Sequence, residues 1–436
     1  MIKMIFKQLW NQRRQNGWIL LELIVIAFFL FTTSAEVVRG TIDYMLPDGY
    51  EKETTYLIKL KEGSKFRYAR REREIRDSIF QSNFNLLLLT IKNCPEVEAV
   101  ATVRDDSHPG AASHNSNGFV SDDTASVRIN ASYYQTFIKE GTTDFLKVYG
   151  LKDARTGEPL QLAEAKLACQ HGIVSAAFAR QLFGHLEVIG EKVHFGKKLP
   201  EGSNANNYFE IVGVYEGYKR TNFQAPSAST FILTPNSYGR STSNHVITYR
   251  LKEGVDGKAF RERIINEIAP NFENTPTAIK EIQSFEESLE WFNGMLGIYT
   301  HYRYTAVMLF FVLLCVFLGM TGTFWVRCRA RRQEIGLMRS IGASQATITR
   351  QFMTEAWMLV TIGILIAQPF IIHYIHELEW NVIDPTAHYW QDSKTWITLA
   401  TDGLIYILMV LIALLGTWFP VKQASKDLPA EALRDE

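Results

Sequence analysis

YTAVMLFFVLLCVFLGMTGTFWV, residues 304–326, holds no charged side chain, and RCRARR follows it at 327–332. A helix rises about 1.5 Å per residue, so about twenty apolar residues cross the ~30 Å hydrocarbon core of a bilayer. The stretch therefore reads as a membrane span ending on a basic flank. Residues 18–38, 353–375 and 396–419 share its length and character, although the mean hydropathy of the whole chain is close to zero. That average misleads because the long segment 39–303 is polar. Trp18, Tyr304, Trp325, Tyr374, Trp396 and Trp418 stand at or near the ends of the four runs, where amphipathic rings suit the headgroup layer.

Basic residues orient the spans. Lys3, Lys7, Arg13 and Arg14 precede the first, Arg327, Arg329, Arg331 and Arg332 follow the second, and Lys422 and Lys426 follow the fourth. The positive-inside rule places all three groups in the cytoplasm. The loop 376–395 carries Glu377, Glu379, Asp384 and Asp392 against Lys394, as an outside loop should. Both termini are then cytoplasmic, and residues 39–303 form a folded domain outside the membrane. A cleaved signal peptide, with Arg13 and Arg14 as its basic region and a small-residue site near Ser34 and Ala35, is the competing reading of the first span. Against it stand the length of the run and the pattern before it. Ile2, Ile5, Phe6, Leu9 and Trp10 line one face of a helix, so residues 1–17 read as an amphipathic helix in the inner headgroup plane. Glu22, Glu355 and Asp402 lie within or near the spans, and snorkelling to the nearest boundary is the expectation for them, with an inter-helix role weighed for Glu22.

The cytoplasmic loop 327–352, RCRARRQEIGLMRSIGASQATITRQF, has its own pattern. Ile335, Leu337, Met338 and Ile341 make a roughly helical apolar stripe among arginines. Gly342 suits the left-handed residue that ends a helix, and Ser344 suits the cap of the next. A short helix held at the membrane surface between two spans is shaped to receive force from a soluble partner. Periodicity does not separate that reading from an ordinary basic loop.

RRQEIGLMRSIGASQATITRQFMTEAWMLVTIGI, residues 331–364, resembles the signature of the FtsX/MacB-like permease family, and PVKQASKDLPAEALRDE, 420–436, is similar to that family's closing motif. HGIVSAAFARQLFGHLEVIGEKVHF (171–195) and YFEIVGVYEGYK (208–219) resemble its MacB-type extracytoplasmic domain. The resemblance is weakest at 39–65 and 105–118. It implies an ABC transporter permease in the bacterial inner membrane. In such a permease, ATP hydrolysis moves the outer domain, and Glu334, Ile335, Gly336, Arg339, Gly342, Ala343 and Ser344 contact the ATPase. No GxxxxGK[ST] phosphate loop occurs in the chain, and the segment before residue 18 is too short for a nucleotide domain. The expectation is therefore a chain without cofactors or catalytic residues, served by a separate cytoplasmic ABC ATPase that binds ATP and magnesium. It is expected to pair with a second permease, identical or related. A periplasmic adaptor or outer-membrane partner is left open. Efflux or export is the nominal activity. The alternative is a transmembrane regulator that relays ATPase-driven motion to an extracytoplasmic hydrolase or sensor without moving solute.

The outer segment reads as mixed. A helix is expected at 66–93, with strands at PEVEAVATV (95–103), SVRIN (126–130), YFEIVGVYEG (208–217), STFILTP (229–235) and HVITYRL (245–251). Further helices are expected at 132–139, 175–183 and 259–268. The fold class is thus a membrane protein with four transmembrane helices and a large α+β extracytoplasmic domain inserted between helices 1 and 2, built of two subdomains with one inserted into the other. Equal numbers of basic and acidic residues, 46 each, argue against nucleic-acid binding. Cys94, Cys169, Cys315 and Cys328 lack metal-ligand spacing and read as structural, with a Cys94–Cys169 disulfide open. His108 and His114, near Asp105, Asp106, Asp122 and Asp123, are metal-ligand types in a Gly/Ser/Asn loop. A flexible polar loop is the reading adopted, and no metal site is assigned. Ser113 and Ser175 lie in no GxSxG context. Residues 197–207 read as a long hairpin loop and a contact tip.

Overall fold

Polar and apolar residues separate along the chain into two bodies. The computed structural model describes residues 13–63, 73–122, 127–138, 144–162, 170–196, 208–235, 244–381 and 394–425. One unit comprises Met1–Ile42, Tyr299–Ile383 and Asp392–Glu436, the other Asp43–Ile298 and Asp384–Gln391. The amphipathic stretch Ile2–Trp10, Cys169, the tip 197–207, the outer loop between spans three and four, and the tail from residue 426 lie outside the described residues.

The polar unit begins where helix α1 (Arg13–Met45) ends, and its strands and helices follow a nested order. Strand β1 (Thr55–Lys61), helix α2 (Arg73–Lys92) and strand β2 (Val97–Arg104) come first. β3 (Asn115–Ser121), β4 (Arg128–Ile138), α3 (Phe145–Tyr149), β5 (His171–Ser175), α4 (Ala176–Phe183), β6 (Lys192–Phe195), β7 (Tyr208–Tyr215) and β8 (Ser229–Pro235) come next. β9 (His245–Leu251), α5 (Gly257–Arg263), a π-helical turn (Ile264–Ile268), α6 (Ala269–Phe272), β10 (Ala278–Ser284) and α7 (Phe285–Met295) complete it.

The first and last groups pair in the order β10-β1-β9-β2, with every pairing antiparallel. That is a split βαβ, or ferredoxin-like, arrangement. Phe80, Phe84 and Leu87 of α2 and Phe260 of α5 pack on one face of this sheet against Ile58 and Ile247. Leu57 and Val246, on the opposite face, join Tyr149 of α3 and Phe285 of α7. Buried on both sides, β9 reads as the near-continuous run HVITYRL rather than as an alternation.

Between β2 and β9 the chain inserts a closed ring of strands, β4-β3-β6-β7-β5-β8 and back to β4. The closing ladder is parallel, from Ser132↔Ser229 to Ile138↔Pro235. Closure leaves no free strand edge in the ring. β4 joins the two parts, because Arg128–Tyr133 pair with β3 while Thr136 and Phe137 pair with β2.

The expected pair of subdomains, one nested in the other, is thus a ring inserted in a split βαβ. The helix expected at 132–139 is the second half of β4. Ser132, Tyr134 and Thr136 are buried at a spacing of two, and the aromatic and β-branched content of YYQTF favours strand. The loop near His108 is not a flexible polar segment either. His108 is 1% exposed with Nδ1 2.8 Å from the Pro109 carbonyl, and Ser107 Oγ accepts from the Gln135 amide at 2.9 Å. Asp122 pairs with His194 at 3.0 Å. Among the described residues no cluster of three His, Cys, Asp or Glu side chains could hold a metal ion. Ser175 caps α4 by accepting from the Phe178 amide at 3.2 Å, which occupies its hydroxyl structurally.

The apolar unit is built from α1 and three further long helices, α8 (Ile298–Ala330), α10 (Gln345–Asn381) and α11 (Lys394–Ala424), with the short α9 (Arg332–Ser340) between α8 and α10. All four long helices are long and apolar enough to cross a membrane. Leu23 and Ala27 of α1, Met320 and Phe324 of α8, Ala356 and Leu359 of α10 and Met409 and Ala413 of α11 form their common core. Small residues permit close approach. A Cβ on Gly363 would lie 3.0 Å from Leu23 Cβ, and one on Gly416 would lie 3.1 Å from the Phe317 carbonyl oxygen. Large apolar side chains such as Phe310, Leu318 and Leu365 point outward, as lipid-facing residues do.

Candidate functional site: the helix between the second and third spans

α9 is short, and its hold on the helices around it comes from both ends. At its start, Arg331 donates from Nε to Glu334 at 2.7 Å and from Nη1 to Glu355 at 3.1 Å. Arg327 reaches the other oxygen of Glu355 at 2.7 Å. Glu355 is 2% exposed, so one buried carboxylate on α10 binds guanidinium groups from α8 and from the α8–α9 junction. Desolvating such groups costs several kcal/mol each, which only close pairing offsets. Glu355 therefore does not snorkel. The same Arg331 guanidinium lies 4.7 Å from the centre of the Phe352 ring. Asp402, also expected to snorkel, instead accepts from Gln368 Nε2 at 3.3 Å between α10 and α11. Glu22 lies against Gly319 of α8, where a Cβ would come within 2.5 Å of its carboxylate oxygen.

At its other end α9 closes as a Schellman motif. The Ala343 amide donates to the Met338 carbonyl at 2.9 Å, and the Gly342 amide donates to Arg339 at 3.1 Å. Gly342 has φ = +96°, the left-handed conformation its sequence position suggested. Ser344 Oγ then accepts from the Thr347 amide at 3.2 Å and caps α10.

The candidate residues separate by direction. Ile335, 3% exposed, and Gly336 are buried against the helical core, and Ala343 is half-buried with Met338. Arg339 is half-buried and donates to the Ser425 carbonyl at the end of α11 at 2.9 Å. Glu334, Gly342 and Ser344 are exposed. Leu337 and Ile341, 58% and 80% exposed, stand one turn apart on the outward face. The apolar stripe in the sequence grouped them with the inward Ile335 and Met338. The sequence signal that could have separated them is helical spacing, since Leu337 and Ile341, four residues apart, share a face that Ile335 and Met338 do not.

A multispan membrane protein that presents one braced helix at its basic end defines a class rather than a particular protein. Residues 306–429 match the FtsX-like permease C-terminal family. An uncharacterised ABC transporter permease of Methanocaldococcus jannaschii is 21% identical over 279 residues, covering 62% of this chain and 63% of that protein. A probable syringafactin export ATP-binding/permease protein of Pseudomonas syringae pv. syringae is 23% identical over 51% of this chain and 33% of its own length. The macrolide export ATP-binding/permease protein MacB of Salmonella paratyphi A is 22% identical over 67% of this chain and 42% of its own length. The aligned stretches thus span less than two thirds of each relative. The periplasmic region of MacB from Actinobacillus actinomycetemcomitans, a solved structure, is 14% identical over 55% of this chain and 91% of that chain, with a TM-score of 0.32. Residues 306–429 form an FtsX-like permease C-terminal domain, and the chain as a whole is similar to ABC transporter permeases and to MacB-type export proteins.

Proposed function

We propose that this chain is the permease subunit of a mechanotransmission-type exporter, in which a separate cytoplasmic ATPase, binding ATP and magnesium, acts on α9 to move the extracytoplasmic domain. The observation that carries this reading is the bracing of α9. Arg331 and Arg339 tie it to α10 and to the end of α11, Ile335 is buried in the helical core, and Glu334, Leu337 and Ile341 face outward. A push on that outward face is transmitted because the inward face has no slack. The names of the export proteins similar to this chain support export as the direction. In this reading the chain sits in the inner membrane with both termini cytoplasmic, pairs with a second permease, and binds no cofactor itself.

The test is co-purification of ATPase activity with the detergent-solubilised chain, wild type beside a Leu337→Asp, Ile341→Asp double variant. Both positions are exposed, so insertion and thermal stability are expected to be unchanged while the associated ATPase is lost. An ATPase that stays bound to the variant would remove α9 as the contact. No ATPase with the wild type under gentle extraction would remove the partner.

A further inference from the structure

We propose that the basic ends of α8 and α11 form a binding site for the phosphate of an anionic phospholipid. The two helices leave a groove of about 210 Å³ between them. Small side chains, Cys328 and Ala424, give it depth, and Arg329, Arg332 and Gln423 line it with donors. None of its lining residues is acidic. Arg329 makes no ion pair among the described residues, although its neighbours Arg327 and Arg331 are both engaged.

The groove continues into an aromatic wall. Trp325 stacks with Phe419 across the two helices, with ring centres 6.3 Å apart and planes within 19°. Trp418, the residue before Phe419 and outside the groove's lining, holds the Lys422 ammonium 4.4 Å from its ring centre. All three rings are partly exposed on apolar helices, at the level where a Trp belt and a basic flank meet. Guanidinium pairs bind phosphate oxygens through fixed N–H forks, and apolar ring faces accept acyl chains. A basic recess between membrane helices is the geometry that holds anionic headgroups. Free phosphate would use the donors alone. A phospholipid uses donors and wall together, and the wall is the reason to assign the groove to lipid. The assignment requires only that the helices span a bilayer and is independent of the ATPase reading.

The experiment is native mass spectrometry of the full chain in detergent, titrated with phosphatidylglycerol or phosphatidylcholine. The wild type is compared with Arg329→Gln, Arg332→Gln and with a control, Arg13→Gln, Arg350→Gln, that removes equal charge elsewhere. At about a kilocalorie per basic residue, the groove variant should hold phosphatidylglycerol roughly 30-fold more weakly, with the control unchanged. The wild type should prefer phosphatidylglycerol to phosphatidylcholine, and millimolar inorganic phosphate should not displace it. Equal retention by groove variant and control would overturn the proposal. Displacement by inorganic phosphate would reassign the groove to a free anion. Retention that emerges only when residues 426–436 are removed would assign it to the chain's own tail.

Discussion

Gly342 and His108 show how differently single residues announce themselves. Gly342 sits at φ = +96° with open space around the position of a Cβ, so a substitution there meets backbone strain and no steric clash. Gly342→Val should therefore cost about 1 kcal/mol or more at the α9 C-terminus, and Gly342→Asn less. Amide exchange across 337–343 should speed up in that order while insertion is unaffected. If the ATPase reading holds, coupling should fall in the same order. His108 looked like a loop residue in the sequence, and only the structure buries it. Burial pushes its imidazole from the usual 6.5 down to about 4. As pH falls through 6.5 the unfolded chain takes up a proton that the folded chain refuses until about pH 4. Stability is thus present above 6.5 and is lost across that window, by about 3 kcal/mol. Protection of the 107–111 amides, taken relative to their intrinsic exchange rates, should fall between pH 6.5 and 4 in the wild type, and His108→Asn should flatten that fall. A fall of equal size in the variant would assign it to other groups.

At the scale of elements, α9 was legible and its anchor was not. The glycine and serine that end one helix and start the next are local signals, fixed by φ and by one side-chain hydroxyl, and they lie where the sequence placed them. Glu355 is the counterexample. Thirteen residues beyond Gly342, in an apolar run, it had only its depth to be judged by, and depth alone favoured snorkelling. Its two arginine partners come from α8 and from the α8–α9 junction, a pairing set by helix packing and not by spacing. Removing its charge leaves two poorly solvated guanidinium groups facing a neutral amide. Glu355→Gln should cost on the order of 3 kcal/mol. Trypsin cleavage between Arg327 and Arg339 should accelerate in the variant, with α1 and α11 still protected. Cleavage at the wild-type rate would mean that Ile335 and the Arg339–Ser425 hydrogen bond seat the helix without Glu355.

For the molecule as a whole, the β2–β4 pairing joins the ring to the split βαβ, and one core holds Leu57, Val246 and Phe285 of the latter with Tyr134, Tyr215 and Phe231 of the ring. The fragment Asp43–Ile298 should therefore unfold in one transition, with far-ultraviolet circular dichroism and tyrosine fluorescence coincident. Two separated transitions would show the parts to be independent. The sequence alone determined the four membrane helices, their basic flanks, the capped turn at 342–344 and the presence of an α+β domain. Each depends on runs or single residues whose physics is local: transfer from water to lipid, a left-handed φ, a hydroxyl within reach of an amide. The tertiary structure alone decided that 132–138 is a strand, that His108 is buried, that Glu355 is paired and that Leu337 and Ile341 face away from Ile335. Those outcomes depend on which distant segments meet. A strand exists only when β8 and β3 bring it hydrogen-bond partners, and a carboxylate is buried only when two arginines arrive with it.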